Sequence, residues 1–344
     1  SRLDYPLIDG VQKGCPHHIL EPARTNLILN SQKISLTPTK AGTFVDNFAI
    51  SPDGTLNATK LTATDVDPYF YQNISYSAVS YTASIYIKGI GNSVGKEFQI
   101  RLGTNIYTDV IPLEWTRFKY TVTMASGVTS AGLEIPNPAV VGDEVLVWGW
   151  QVEVGSYVTS YIPTNGESGG VTRSAETASG AGNSTTFNDS EGVLMAEISA
   201  LSNDGTSRHF SINDGSAANK VELYYDSTTN EINGHINVNG ISSALFSETI
   251  TVLNFNKVLI KYKENSFSFY VNGFEVETDT SGVIFPSNTL NNLSFNKGNG
   301  TLDFYGKTKQ LQYFDSALAD TQLEQLTSWQ SFRDMANGQL YTIE

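Results

Sequence analysis

The sequence predicts an all-β chain built as two antiparallel β-sandwich (jelly-roll) domains in tandem, with one short C-terminal helix. Three observations carry this. Apolar and polar residues alternate at period two in run after run, turn-forming Gly, Asn, Asp and Pro separate those runs, and helical periodicity is nearly absent until the end of the chain. The length of 344 residues suits two domains of ordinary size, long enough to bury real cores without cross-links.

Residues 1–30 read as an extended N-terminal segment. "LDYPLIDGVQKGCPHHILEPARTN" has scattered apolar residues and several prolines, and is expected to pack along the first sandwich or a neighbouring subunit. The opening also lacks a secretory n-region and h-region, so it reads as the middle of a longer polypeptide. Residues 31–165 form the first predicted sandwich. In "YTASIYIK", Tyr81, Ala83, Ile85 and Ile87 share one face; in "FQIRL", Phe98, Ile100 and Leu102 point inward with Gln99 and Arg101 outward; "RFKYTVTM" repeats the pattern with Phe118, Tyr120, Val122 and Met124. Ser51-Pro52-Asp53-Gly54 supplies a turn between strands. In "VLVWGWQVEVGS", strict alternation places Leu146, Trp148, Trp150 and Val152 on one face. Valine-rich positions on the other side indicate a strand covered on both faces, its tryptophans serving as core anchors rather than a sugar platform.

Residues 166–186, "NGESGGVTRSAETASGAGNSTT" in their main part, are poor in large apolar residues and read as a linker or crossing segment. Residues 187–344 form the second sandwich, where "GVLMAEISAL", "KVELYYD" and "KVLIKYKENSFSFYVNGFEVET" resume the alternation. Asn272-Gly273 sets a type I′ hairpin turn. The helix is expected in "SALADTQLEQLTSW", capped by Asp320, with Leu323 and Leu326 on the side that packs as a lid on a sandwich edge.

A net charge of −14 works against nucleic acid and anionic membranes as partners, since phosphate recognition needs clustered Lys and Arg. No run approaches the ~18 apolar residues of a helical membrane span, so membrane insertion is not expected. The single cysteine, Cys15, excludes an intrachain disulfide framework.

Two stretches carry a resemblance. "LEPARTNLILNS" (Leu20–Ser31), Trp115-Thr116-Arg117 and "WGWQVEVGSYVTSYIPT" running toward "TRSAE" resemble the carbohydrate-binding-module-like jelly roll of phage tail fibres and related adhesins. "KVLIKYKENSFSFYVNG" and "LSFNKGNGTLDFYGKTKQLQYFDSALADTQLEQLTS" resemble the laminin-G/concanavalin-A-like lectin sandwich of phage tail proteins. Together they span roughly residues 17–330. The resemblance implies a non-catalytic receptor-binding protein of a phage tail, attaching to host cell-surface carbohydrate. It also implies a virion or extracellular location, other tail proteins as partners, and a homo-oligomer such as a trimer. A structural tail protein that binds only other subunits is the alternative, and a polysaccharide-degrading enzyme the third.

An enzyme is not expected. Retaining glycoside hydrolysis needs two carboxylates ~5 Å apart, and the Glu-x-Asp-x-Glu pattern of related glucanases is absent. Glu275 and Glu277 in "FEVETDT" share a face at period two, but on a half-exposed hairpin that face is solvated. The four histidines form no local motif. For saccharide, aromatic rings flanked by polar side chains are the usual device. "DPYFYQN" offers Tyr69, Tyr71 and Gln72, Arg101 points outward from its strand, and "VELYYD" offers Tyr224, with Glu222, opposite Val221, Leu223 and Tyr225. For calcium, the loops "SNDGTS" and "NDGS" offer Asp204 and Asp214 as oxygen ligands, a composition that serves tight turns equally well.

Overall fold

The computed structural model describes residues 2–4, 7–8, 11–12, 16–65, 67–136 and 138–338, and Cys15 lies outside them. The fold is all-β, in antiparallel sheets paired as sandwiches, with two short C-terminal helices, Asp320–Thr327 and Phe332–Gly338, where one was expected. The chain divides into two compact units. One comprises Leu7–Lys13 with Ala23–Ala175; the other comprises Ser1–Pro6, Gly14–Pro22 and Glu176–Glu344.

In the unit of residues 23–175, one five-stranded sheet runs in the order Thr116–Thr123, Ser80–Ile90, Glu144–Val154, Leu56–Thr62, Thr43–Ile50. The second runs Asn105–Val110, Glu97–Leu102, Gly127–Glu134, Tyr69–Tyr76, Thr39–Ala41. Their inward positions form one core, in which Tyr81, Ala83, Ile85 and Ile87 meet Phe70, Phe98, Ile100, Leu102 and Leu133. The period-two reading of these strands therefore holds.

It fails at Gly149. This residue adopts φ +68°, in the left-handed region that favours glycine, and the pairing slips so that Ser84 faces Gln151 while Tyr86 faces Trp148. The extra residue changes the face of everything before it. The core face is Val145, Val147, Trp150 and Val152, not the strict alternate set containing Leu146 and Trp148. Trp148 instead packs on the other face between Tyr86 (5.2 Å) and Tyr161 (4.6 Å). Residues 156–164 fold back over that face: Thr159 N–H and Oγ1 each donate to the buried Glu153 carboxylate at 2.7 Å, and Ile162 N–H donates to Gln151 Oε1 at 2.7 Å. Both tryptophans are buried.

The N-terminal segment does not go as a whole with the first sandwich: Leu7–Lys13 groups with residues 23–175, and Ser1–Pro6 and Gly14–Pro22 group with residues 176–344. Arg2–Asp4 and His17–Leu20 are strands of the seven-stranded sheet of the other unit, joined through Gly306–Phe314. Arg24–Asn26 belongs to the first sandwich, where Asn26 is fully buried; its Nδ2 donates to Trp150 and Ile162 carbonyls, and its Oδ1 accepts from Ile28 and Val152 N–H. The polar tract at 166–186 is likewise ordered. Val171–Arg173 pairs with Arg24–Asn26, Ala181 bridges Leu293, and Phe295 N–H donates to the Ala178 carbonyl at 2.8 Å. A segment with little to bury can still satisfy its backbone in a ladder, which composition does not reveal.

In the unit of residues 176–344, the seven-stranded sheet continues through Glu191–Ala200, Asn256–Lys263, Phe267–Val271 and Phe274–Asp279. The facing sheet runs Ile241–Thr249, Glu231–Val238, Lys220–Tyr225, Arg208–Asn213, Asn292–Ser294. Leu194, Ala196, Ile260 and Phe269 from the first sheet meet Phe210, Ile212, Val221, Leu223, Ile236 and Phe246 from the second. The Asn272-Gly273 turn has φ +51° and +94°, as a type I′ turn requires. A bulge between Phe269 and Tyr270 then pairs Glu277 with Phe269 and Glu275 with Tyr270. The two glutamates are thereby turned to opposite faces rather than sharing one. The helix Asp320–Thr327 packs Leu323 on Val193, Met195, Leu259 and Tyr270, the outer face of the sheet rather than its edge. Ala319 is its N-cap residue and Asp320 lies in its first turn, where a carboxylate suits the helix dipole.

Candidate functional site

The most distinctive polar construction is on the outer face of the sheet containing Lys220–Tyr225. Alternation along that strand sends Val221, Leu223 and Tyr225 into the core and leaves Lys220, Glu222 and Tyr224 on the other side. Register then assembles a grid. Ser211, Glu222 and His235 stand in one row across three strands; His209, Tyr224 and Asn233 in the next; Asn213, Lys220 and Asn237 in a third.

Glu222 is the hub, and it is almost completely buried. Its Oε2 lies 2.9 Å from His209 Nδ1; its Oε1 lies 3.1 Å from His235 Nδ1 and 2.5 Å from Lys220 Nζ. Burial by itself would raise the Glu222 carboxyl, but hydrogen bonds with His209 and His235 and the nearby positive charge hold it well below the usual carboxylate range. An ionised carboxylate only accepts, so both Nδ1 atoms carry hydrogen. His209 is pushed down by burial, against the pull of Glu222. Neutral and protonated at Nδ1, it presents Nε2 as an acceptor. His235 Nε2, in turn, lies within hydrogen-bond distance of Ser242 Oγ, at 3.1 Å. Tyr224 lies flat on His209, with ring centroids 4.3 Å apart and planes 5° from parallel, and burial raises its phenol.

Over this floor opens a cavity of about 410 Å³, whose walls include Asp226, Asn237 and Lys297. Its lining is mainly hydrogen-bonding groups, of which His209, Lys220, Glu222 and His235 are held in orientation by their mutual ion pairs. Such a site can meet a ligand rich in hydroxyl groups with preset donors and acceptors. It is poorly suited to proton transfer through Glu222, whose carboxylate is committed to three donors and is a weak base.

The sequence candidates fall in different places. Tyr224 is in this pocket. Tyr69, Tyr71 and Arg101 share the outer face of a sheet in the unit of residues 23–175. The two tyrosine rings stack at 5.2 Å and 19°, and Arg101 holds Glu134 at 2.8 Å and Gln99 at 2.8 Å. Bare Gly132 lies between Tyr71 and Arg101 in register, and a Cβ there would sit 2.3 Å from that of Tyr71. Gln72 is separated from them: it points inward, nearly buried, accepting from Leu29 N–H and donating to the Leu27 carbonyl, both at 2.9 Å. It pins a backbone segment and is not on the tyrosine face.

Asp204 and Asp214 serve their own loops. Asp204 accepts from Thr206 N–H (3.1 Å) and Arg208 Nη2 (2.7 Å). Asp214 accepts from Ser216 N–H (2.9 Å), Ser216 Oγ (2.6 Å) and Asn219 Nδ2 (2.8 Å), and these bonds hold its carboxyl down against the rise that burial gives. Among the described residues, no group of three or more His, Cys, Asp or Glu is arranged to hold a metal ion.

No protein-family model matches the chain, and no curated protein matches it. Among solved structures it is similar to a leech intramolecular trans-sialidase, at 17% identity over 45% of this chain and TM-score 0.37; the match spans only 27% of that enzyme. It is similar to domains LG4-5 of the mouse laminin α1 chain, at 9% identity over 85% of this chain and 95% of that one, TM-score 0.30. It is also similar to the CBM22-1–CBM22-2 tandem of Paenibacillus barcinonensis Xyn10C, at 10% identity over 88% of this chain and 100% of that one, TM-score 0.28. These are distant likenesses of β-sandwich architecture, and they carry nothing about ligand or activity.

Proposed function

We propose that this chain is a non-catalytic recognition protein whose β-sandwiches bind cell-surface carbohydrate, with host attachment from a phage tail as its setting. The observation that carries the binding reading is the cavity over Glu222, a polar recess whose floor groups His209, Lys220 and His235 are tied to Glu222 by buried ion pairs. The stacked Tyr69 and Tyr71 beside Arg101 offer a second, flatter surface of the kind that stacks on pyranose rings. The phage setting and the virion or extracellular location rest on the resemblance of the quoted stretches alone. The non-catalytic reading is supported by the saturated, weakly basic Glu222.

The test is a glycan array read with the intact protein, together with adsorption competition by the same protein on host cells. Retention of a glycan and blocked adsorption are expected. An array without a single retained glycan would refute the reading.

One observation favours the alternative, a structural tail protein that binds other subunits. Val45, Phe48 and Ile50 on the edge strand Thr43–Ile50 are exposed, with Leu56 exposed on the adjoining strand. An apolar edge strand invites pairing with another chain, so sedimentation of V45K/I50K against wild type separates subunit contact from glycan binding.

A further inference from the structure

We propose that the pocket over Glu222 selects a saccharide bearing an anionic substituent, seated against Lys297 and Lys220. This rests on the saccharide reading of the same pocket and adds the charge of its ligand.

The cavity has a polarity along its floor. Lys220 and Lys297 line it together, whereas Asp226 lies at the opposite end of the strand Lys220–Tyr225, engaged by Ser227 and by Asn233 Nδ2 at 2.9 Å. Lys220 is only 2% exposed and has, among the described residues, a single ion-pair partner, Glu222. That carboxylate is shared with His209 and His235, so its charge is divided among three donors.

Lys297 is half-buried and forms no ion pair with any described residue, in a chain of net charge −14 where most cations near the surface find a carboxylate. Its mounting is fixed. Asn296 Oδ1 accepts from Gly298 N–H (2.7 Å) and Gly300 N–H (3.4 Å), and Lys297 N–H donates to the Thr301 carbonyl at 2.9 Å. Gly298, at φ +98°, passes so close to the neighbouring loop that a Cβ would fall 2.4 Å from the Ser216 carbonyl oxygen. The loop thus holds an unpaired ammonium at the wall of a cavity that already contains another cation. The two repel each other, and Lys220 is lowered first by burial and further by Lys297, against Glu222. A carboxylate, sulfate or phosphate on the ligand would relieve that repulsion and take charge-assisted hydrogen bonds from both lysines.

Carboxylated and sulfated sugars share this chemistry, and matched glycans distinguish them. The intact protein is read on an array of uronic- and sialic-acid oligosaccharides, their methyl esters, and sulfated counterparts. Methyl esterification removes the charge while keeping the rings. Free acids or sulfates are expected to be held about ten-fold more tightly than the esters, the scale of one charge-assisted hydrogen bond. Retention confined to one group names the anion. In K297Q, which leaves Lys220 in place, the preference should shrink several-fold, and K297R should keep it, with thermal unfolding showing both variants folded.

Equal binding of acids and esters, or a preference undiminished in K297Q, overturns the anionic inference while leaving saccharide binding standing. Absence of binding to every glycan overturns both.

Discussion

Replacing Glu222 with Gln keeps the side-chain shape and removes the charge on which three buried donors converge. The amide has one acceptor oxygen, and its NH₂ must face a group that itself donates. Lys220, 2% exposed, would then hold an ammonium without a counter-charge. Removing one partner of a buried ion pair costs about 3–5 kcal/mol. For a unit of this size that corresponds to a fall of roughly 10 °C in its unfolding transition. Differential scanning calorimetry reads it directly. In E222Q/K220M both charges are gone, and the double variant should recover much of the loss. A single variant within about 1 kcal/mol of wild type, or a double variant worse than E222Q, would refute the view of Glu222 as the electrostatic hub.

The same cluster sets a pH dependence. His209 is lowered in the folded protein, so between its folded value and about 6.5 the unfolded chain binds the extra proton and stability falls as the solution is acidified. Glu222 is lowered as well, so its contribution is present above about pH 4.3 and drains away as pH falls toward the folded value. E222Q should lose the lower part of that acid slope.

Three further outcomes are expected. Gln72→Ala leaves Leu29 N–H and the Leu27 carbonyl without their partner and should cost about 1–3 kcal/mol in chemical denaturation, with glycan retention unchanged. Gly149→Ala puts a Cβ on a residue at φ +68° and 3.3 Å from the Tyr86 ring, and should destabilise by about 1–2 kcal/mol in the same assay. Tyr69→Ala with Tyr71→Ala should reduce adsorption competition if the first sandwich contributes to binding, and unchanged competition would assign binding to the other unit alone.

Strands were legible wherever a single period governed both faces. Tyr81 to Ile87 and Phe98 to Leu102 are core as their alternation requires. Where one residue slips the ladder, at Gly149 or beside Tyr270, alternation counted on the sequence assigns the wrong face, because a bulge is fixed by pairing with another strand. The polar pocket was hidden for a related reason. Glu222 and Tyr224 could be placed on one face from "VELYYD", but His209 and His235 join them only through the pairing register of three consecutive strands, which no single run shows. The available signal was three neighbouring runs whose outward positions are all polar: His209 and Ser211, Lys220 and Glu222, Asn233, His235 and Asn237. Gln72 was misread because a glutamine beside tyrosines looks like a sugar ligand, and its burial against Leu27 and Leu29 is a tertiary fact.

The chain contains four histidines, His17, His18, His209 and His235, all in one unit, so their ring nitrogens give a sparse NMR spectrum. Imidazole ¹⁵N spectra of the intact protein, recorded as the best-retained glycan is added, interrogate the pocket directly. The account predicts Nδ1-protonated His209 and His235 at neutral pH, with both perturbed by the glycan while His17 and His18 stay put. Saturating glycan that leaves His209 and His235 unmoved would contradict it.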